Sequence, residues 1–306
     1  MRRRPYAGPA DIALLQAFTA GVIARSGRGG MMHPGDIVHR IFNGLRRDDP
    51  GALVHIWEDA GEVIGWALLD PRGGGIEIQL DPARRTSYPG LERAVQIWAE
   101  EVTLELMERD GHRNDRIETE VSTDDASRRA LLRGLGWVET GEALMFASRR
   151  IEEVPPVELP DGYRIRAARG VTEEAEIAAL HAAAFGSSWT AELYGRVMRS
   201  PGYEAERELL AVAPSGALAA FCVIWPDPVN CAGLFEPLGT HPDHRRRGLG
   251  RALLRYGMRE LRDRGMADAE IGYEVDNPDS GPLYRSEGFV PTWETLIYAK
   301  PISRGS

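Results

Sequence analysis

The densest chemical signal in the chain is Arg245-Arg246-Arg247-Gly248-Leu249-Gly250-Arg251. It follows a strand-like run ending at Thr240 and opens a helix-like run with Leu249, Leu253, Tyr256 and Leu261 on one side. Glycines at 248 and 250 let the backbone turn so that several N–H groups face one concavity, where the helix N-terminus adds positive potential. Arginine supplies mobile charge and grips phosphate oxygens bidentately. The pattern predicts a pyrophosphate cradle. A Walker loop is absent, and the dinucleotide fingerprint fails because Leu253 stands where its third small residue belongs. The segment fits Arg-x-x-Gly-x-Gly over residues 245–250, between a strand and a helix.

A second motif follows in Asn277-Pro278-Asp279-Ser280-Gly281-Pro282-Leu283-Tyr284-Arg285-Ser286-Glu287-Gly288-Phe289. Together the two resemble the GNAT superfamily of acyl-CoA-dependent N-acyltransferases. Its signature is Gln/Arg-x-x-Gly-x-Gly/Ala at a strand–helix junction, followed by an Asn, a Leu-Tyr pair and a Gly-Phe pair. The resemblance implies acetyl-CoA as cosubstrate, no metal, and a primary amine of a small molecule as acceptor. Residues Arg245, Arg246, Arg247, Gly248, Leu249, Gly250 and Arg251 would hold the CoA pyrophosphate. Leu238, Gly239 and Thr240 would line the pantetheine arm and acetyl carbonyl, with Asn277 on the arm and Tyr284 near the sulfur.

A phenol with an ordinary pKa of about 10 is protonated at neutral pH, so Tyr284 can give a proton to a departing thiolate. An alkyl ammonium with a pKa of about 10.4 is neutral only about one part in 10³ at pH 7, so a base must take its proton. Glu236 is a carboxylate in an otherwise apolar strand. Leu234 occupies the position that aligns with the base of many relatives; residues two apart share a strand face, which leaves Glu236 or a water in that role. His241 and His244 shape the following turn or relay protons. Phe185, Trp189, Tyr194 and Trp225, near the Gly186-Ser187-Ser188 loop, are candidates for the acceptor site or for core.

The elements that must position these groups occur twice. Residues 151–160 are charged and Pro-rich, and separate a first half, 1–150, from a second, 161–306. Each half opens on a helix (9–23; 173–185), continues through two strands joined by a turn (53–57 and 63–69; 209–212 and 218–225) and a third strand (76–80; 234–240), and reaches a long helix. Each then has a strand (116–122; 270–275), a short helix, a Gly-aromatic pair and a last strand. The fold class expected is α/β, with two tandem GNAT-like domains, each a mixed, mostly antiparallel sheet flanked by helices. The tandem arrangement is similar to that of the mycothiol synthases. Phe221-Cys222-Val223-Ile224-Trp225-Pro226-Asp227, however, stands where that family carries a Gly-Phe-His-Trp-Thr-Lys run, so the mycothiol substrate is not carried over.

Anchoring Asp81-Pro82 on His241-Pro242 matches Arg85 with Arg245 and Gly90 with Gly250, and puts Tyr88 and Pro89 at Gly248 and Leu249. Anchoring Gly136-Trp137 on Gly288-Phe289 sets Leu132 opposite Tyr284 and Asp125 opposite Asn277. The first half thus lacks the acid and the cradle, and is expected to be noncatalytic.

The remaining arithmetic limits partners. The 306 residues carry 46 acidic and 37 basic side chains, a net charge of -9, which argues against a nucleic-acid or anionic-membrane coat. Cys222 and Cys231 fit neither a disulfide framework nor a zinc spacing, and no long apolar run or leader follows the basic N-terminus. A cytoplasmic protein is expected, and a homodimer stays open because many relatives dimerise. The rival to an enzyme is a noncatalytic CoA-binding or partner-binding module.

Overall fold

The computed structural model describes residues 1–44 and 48–302. The chain forms two compact units, Met1–Ile37 with Asp48–Met145 and Trp293–Ser306, and Val38–Arg47 with Phe146–Thr292.

In the first unit β1 (Arg2–Pro5), α1 (Pro9–Ser26), α2 (Asp36–Val38, whose last residue falls in the second unit), α3 (Pro50–Leu53), β2 (Val54–Asp59) and β3 (Glu62–Asp70) come first. The two strands are joined by Ala60 and Gly61, both at positive φ (49° and 85°), the two-residue turn whose twist matches a hairpin. Then follow β4 (Gly75–Leu80), α4 (Leu91–Asp110), β5 (Arg116–Ser122), α5 (Ala126–Gly134) and the start of β6 (Val138–Arg150). Strands β1 to β4 pair antiparallel in sequence order, and β4 touches β5 in parallel at Gly75 and Glu118. Trp57, Ile64, Ala67 and Val95 form a core between β2, β3 and α4.

The second unit contains β7 (Arg164–Ala167), α6 (Glu174–Phe185), α7 (Ala191–Met198), β8 (Glu208–Val212), β9 (Leu218–Asp227), β10 (Ala232–Thr240), α8 (Leu249–Asp263), β11 (Asp268–Glu274) and α9 (Ser280–Ser286). β7 through β10 are antiparallel neighbours, and β11 runs parallel to β10. Side-chain alternation splits the strands between two cores. Leu209, Ala211, Cys222, Ile224 and Phe235 pack with Leu253, Leu254 and Met258 of α8. Leu210, Val212 and Phe221 pack with Ile177, Leu180 and Tyr194 of α6 and α7. Burying one such Leu contributes about 1.5–3 kcal/mol. Gly257 and Gly233 bring α8 close to the sheet, since a Cβ at either would stand 2.5 Å from the Phe235 ring or 2.3 Å from Leu261.

The compact units differ from the sequence halves in two segments. The last strand, β12 (Val290–Pro301), leaves the second unit after Thr292, and Thr295 to Pro301 lie antiparallel on β5, from Ser122 to Arg116. Residues 38–44 of the first half belong to the second unit. Periodicity marks a strand but not its partner, because pairing is decided by long-range burial. Among the described residues no helix is long and apolar enough to cross a membrane, and no cluster of His, Cys, Asp or Glu could hold a metal ion.

Candidate active site

The site begins at an irregularity in β10. Phe235 pairs with Ile224 and Leu238 with Cys222, so Glu236 and Pro237 oppose the single residue Val223. Two residues against one is a β-bulge, and Pro, which has no N–H to give a ladder, is found at such places. Alternation breaks across it: Phe235 and Leu238, three apart, both pack on the α8 core. The parallel ladder to β11 ends at the Phe235–Ile271 pair, whereas β10 continues on β9 to Thr240. Leu238, Gly239 and Thr240 therefore form an edge from which β11 has parted. Gly239 is required by packing, because a Cβ there would stand 2.5 Å from the Phe221 ring and 3.1 Å from Ala184.

Beyond Thr240 the chain makes a 3-10 turn (Pro242–His244), with the His241 ring accepting from the Asp243 N–H at 3.2 Å, and His244 Nδ1 lies 2.8 Å from the Tyr163 hydroxyl. Arg246 (φ 60°) and Gly248 (φ 81°) are both left-handed on either side of Arg247. Gly248 caps α8, and the first helix-closing bond runs from the Ala252 N–H to the Gly248 carbonyl at 3.0 Å. The N–H groups of Leu249, Gly250 and Arg251 consequently have no acceptor inside the helix, which makes an anion-binding end.

The arginines around this end are unlike one another. Arg251 binds Glu287 Oε1 at 2.8 Å and Ser286, and Arg255 holds the same carboxylate at 2.8 and 3.1 Å. The Arg251 charge is thus met inside the fold. Arg246 reaches Asp279 at 2.9 Å, and Arg245 donates to the carbonyls of Ala184 (3.1 Å) and Thr240 (3.5 Å). Arg247 is exposed, with no ion-pair partner among the described residues. Gly250 would admit a Cβ at 3.4 Å from Leu283, so of the two glycines Gly248 carries the conformational requirement.

Tyr284 on α9 is 7% exposed and packs against Tyr273 and Phe289 at 5.4 and 6.2 Å between ring centroids. Burial first, then the charge of Glu236 and the neighbouring Cys222, push its phenol well above the ordinary value. The fully buried Cys222 thiol is raised by burial and by Glu236 as well. Tyr284 and Cys222 pack in the same core, and burial together with the charge of Glu236 favours the neutral form of both. Asn277 accepts from the N–H groups of Asp279 (3.1 Å) and Ser280 (3.2 Å) through Oδ1, shaping the entry to α9, and its side chain is exposed.

The four aromatic candidates separate by burial. Phe185 is 53% exposed at the end of α6, and Trp189 is half-buried with its ring 5.1 Å from that of Tyr194. Tyr194, 4% exposed, donates to Glu208 Oε1 at 2.5 Å, while Tyr203 donates to Oε2 at 2.7 Å. Two phenols satisfy this wholly buried carboxylate, a core arrangement. Trp225, 5% exposed, donates its indole N–H to the Glu236 carbonyl at 2.5 Å. A cavity of about 290 Å³ in this unit, lined by Glu176, Leu180, Leu218 and His241, contains none of these four residues. The ties from Trp225 to Glu236 and from Arg251 and Arg255 to Glu287 leave no mark in residue type or spacing, whereas Pro237 inside a strand run signals the bulge.

The first unit repeats the scaffold and fills it. Gly90 (φ 83°) caps α4, and the Ala94 N–H closes on its carbonyl at 3.0 Å, as Ala252 does on Gly248. Gly90 thus corresponds to Gly248, which corrects the sequence register by two residues, and Glu92 stands at the place of Gly250. The Pro82 anchor misleads because the loop before α4 is two residues longer. Arg85 binds Asp125 and, at 3.0 Å, Glu92; Arg128 reaches Glu92 at 3.1 Å. The other anchor agrees with the structure: the Trp137 N–H bonds Leu132 and the Phe289 N–H bonds Tyr284, both at 3.0 Å. A cavity of about 140 Å³ remains beside Leu80, Arg84, Tyr88 and Glu92.

Residues 175–289 match the Acetyltransferase (GNAT) family. A mycothiol acetyltransferase of Kineococcus radiotolerans is 31% identical over 263 residues, 83% of this chain and 84% of that protein. Among solved structures, a GCN5-related N-acetyltransferase from Sphaerobacter thermophilus superposes with a TM-score of 0.68 at 21% identity, covering 100% of this chain and 96% of the other. A tandem GNAT protein from the clavulanic acid biosynthesis pathway gives 0.67 at 18% identity, covering 100% and 99%.

Proposed function

The chain belongs to the GNAT acetyltransferase family as a tandem member, and we propose that its second unit transfers the acetyl group of acetyl-CoA to a primary amine of a small molecule by direct attack in a ternary complex. The observations that support this reading are the parting of β10 from β11 after Phe235, the glycine-capped start of α8 and the buried phenol of Tyr284 in the same core as Phe235 and Leu238. The N–H groups at the start of α8, with Arg247, suit the pyrophosphate; Leu238, Gly239 and Thr240 offer backbone groups to the pantetheine arm and the acetyl carbonyl.

The amine nitrogen bonds to the acetyl carbon, a proton passes from nitrogen to Glu236 directly or through water, and the tetrahedral oxyanion collapses with loss of the C–S bond. Tyr284 gives its proton to the departing sulfur and is reprotonated through water as Glu236 releases the proton it took, so that one proton moves net from nitrogen to sulfur. Holding both reactants in one cleft supplies much of the rate. The first unit, with its helix end answered by Glu92 and Leu132 at the place of the phenol, is noncatalytic. The names of the curated relatives put mycothiol-related amines into the acceptor panel, and the Phe221-Cys222-Val223-Ile224-Trp225 run keeps that panel broad.

The test is thiol release from acetyl-CoA against amino sugars, amino acids, aminoglycosides and mycothiol-related amines. Amine-dependent release supports the reading. Tight CoA binding with no release for any amine favours a binding module, and an absence of CoA binding refutes the cradle.

A further inference from the structure

The Glu236 bulge is held from outside the strand ladder. Its carbonyl receives the indole N–H of Trp225 at 2.5 Å, from a residue of β9 whose own ladder partner is Leu234. The Trp225 ring is fixed by two groups. The Arg207 guanidinium carbon lies 5.1 Å from its centroid, and the His39 ring meets it edge to face at 6.1 Å and 63°. Arg207 is itself 8% exposed, bonded to the Gly202 carbonyl and 3.2 Å from Glu204.

His39 comes from the first half of the sequence. It lies on a π-helical turn, His39–Gly44, within the segment that belongs to the second unit. That segment is closely seated: Val38 is 3% exposed and Ile41 fully buried. Gly202 fits against Val38 only because it lacks a side chain, since a Cβ there would be 2.8 Å from Val38 Cγ2. The chain of contact runs from His39 to Trp225 and from Trp225 to the peptide that carries the carboxylate.

We propose that Trp225 and His39 are positioning residues for Glu236, so that the first half of the chain takes part in the reaction of the second unit through residues 38–44. This rests on the reading of Glu236 as the group that receives the amine proton. A bulge places two residues against one and interrupts the regular ladder, so contacts outside the ladder help to set the orientation of its peptides. Rotation of the Glu236 peptide swings its carboxylate, and a misplacement of about 1 Å at a reacting group costs on the order of 10²-fold in rate. An indole is suited to the task because it has one donor, fixed in the plane of a rigid ring.

The test is a double-mutant cycle on the full chain, using the best amine of the thiol-release panel. Trp225→Phe keeps the ring between Arg207 and His39 but removes the donor. It is expected to lower kcat about tenfold with KM for acetyl-CoA unchanged, and to have little further effect when Glu236→Gln is already present. His39→Ala is expected to lower kcat about three- to tenfold and His39→Phe to restore it, because the ring edge is what is used. Thermal melts identify any variant that merely fails to fold, and if Trp225→Phe does so the cycle is run with Trp225→Met, which also removes the donor while keeping apolar volume. Parent-like kcat for Trp225→Phe, additive effects of Trp225→Phe and Glu236→Gln, or equal losses for His39→Phe and His39→Ala would overturn the positioning role while leaving Glu236 as base. If Glu236→Gln alone is fully active, the reading of Glu236 fails and the positioning role falls with it.

Discussion

Replacing Tyr284 with Phe removes one hydroxyl from a residue that is 7% exposed and whose hydroxyl has no hydrogen-bond partner among the described residues. The ring stays packed on Tyr273 and Phe289, so the fold should lose less than about 1 kcal/mol. If the phenol is the proton donor to the sulfur, turnover falls about 10²- to 10⁴-fold, or roughly 2.7–5.4 kcal/mol of barrier. CoA affinity, which the proposed cradle at the start of α8 would set, should stay within about twofold by calorimetry. The pH dependence has a sign. Burial and the Glu236 charge raise the phenol above its ordinary value, so the acid form persists throughout the range between about pH 6 and 9, and any basic limb there belongs to another group. The assay is continuous thiol release at saturating acetyl-CoA over that range. A Tyr284→Phe enzyme within about threefold of the parent at every pH refutes the donor role. A loss of CoA affinity as large as the loss of kcat/KM shows that the hydroxyl serves binding instead.

Further outcomes follow from the same geometry. Gly248→Val places a β-branched residue at φ 81°, costs at least about 1–2 kcal/mol at the cap, and should weaken CoA binding by calorimetry by about tenfold or more. Arg247→Ala should weaken CoA binding in a salt-dependent way without moving the melting temperature. Arg251→Ala should instead lower stability by about 1–3 kcal/mol in urea titration, because Glu287, 3% exposed, then keeps Arg255 as its ion-pair partner among the described residues. Residues 161–306 expressed alone should aggregate in size-exclusion chromatography, since the strand from Thr295 to Pro301 loses its β5 partner and residues 38–44 are missing; a soluble, active fragment would contradict this. Tyr194, Tyr203 and Tyr284 all have phenols raised chiefly by burial. In the unfolded chain they ionise near about pH 10, so their contribution is complete below that pH and is lost as pH climbs toward the folded values, with a melting temperature that falls steeply there.

Much of the local structure is legible from residue type and spacing. The helices starting at Pro9, Glu174 and Leu249, the strand over Arg116–Ser122 and the irregular 151–160 segment follow from caps, alternation and proline content. The glycine-capped start of α8 was legible for the same reason: a glycine followed by an apolar stripe is a local instruction. The equivalence of the two helix starts was less so, because it depends on counting through a loop. Helix-closing bonds at Ala94 and Ala252 give the register directly, and show that Glu92 occupies the place of Gly250. The status of the arginines was not legible. Arg247 and Arg251 are alike as letters, and only the turn of α8 toward Glu287 commits one of them.

Sequence alone determined the fold class, the duplication, and which half carries the phenol, because these depend on residue identity within one or two elements. Tertiary structure decided the partner of β12, the seat of residues 38–44, the bulge that presents Glu236, and the burial that keeps Tyr284 protonated. Each of those is a property of neighbours distant along the chain: strand pairing, ring packing and desolvation are set by what comes to lie alongside a residue, and local patterning carries no record of it.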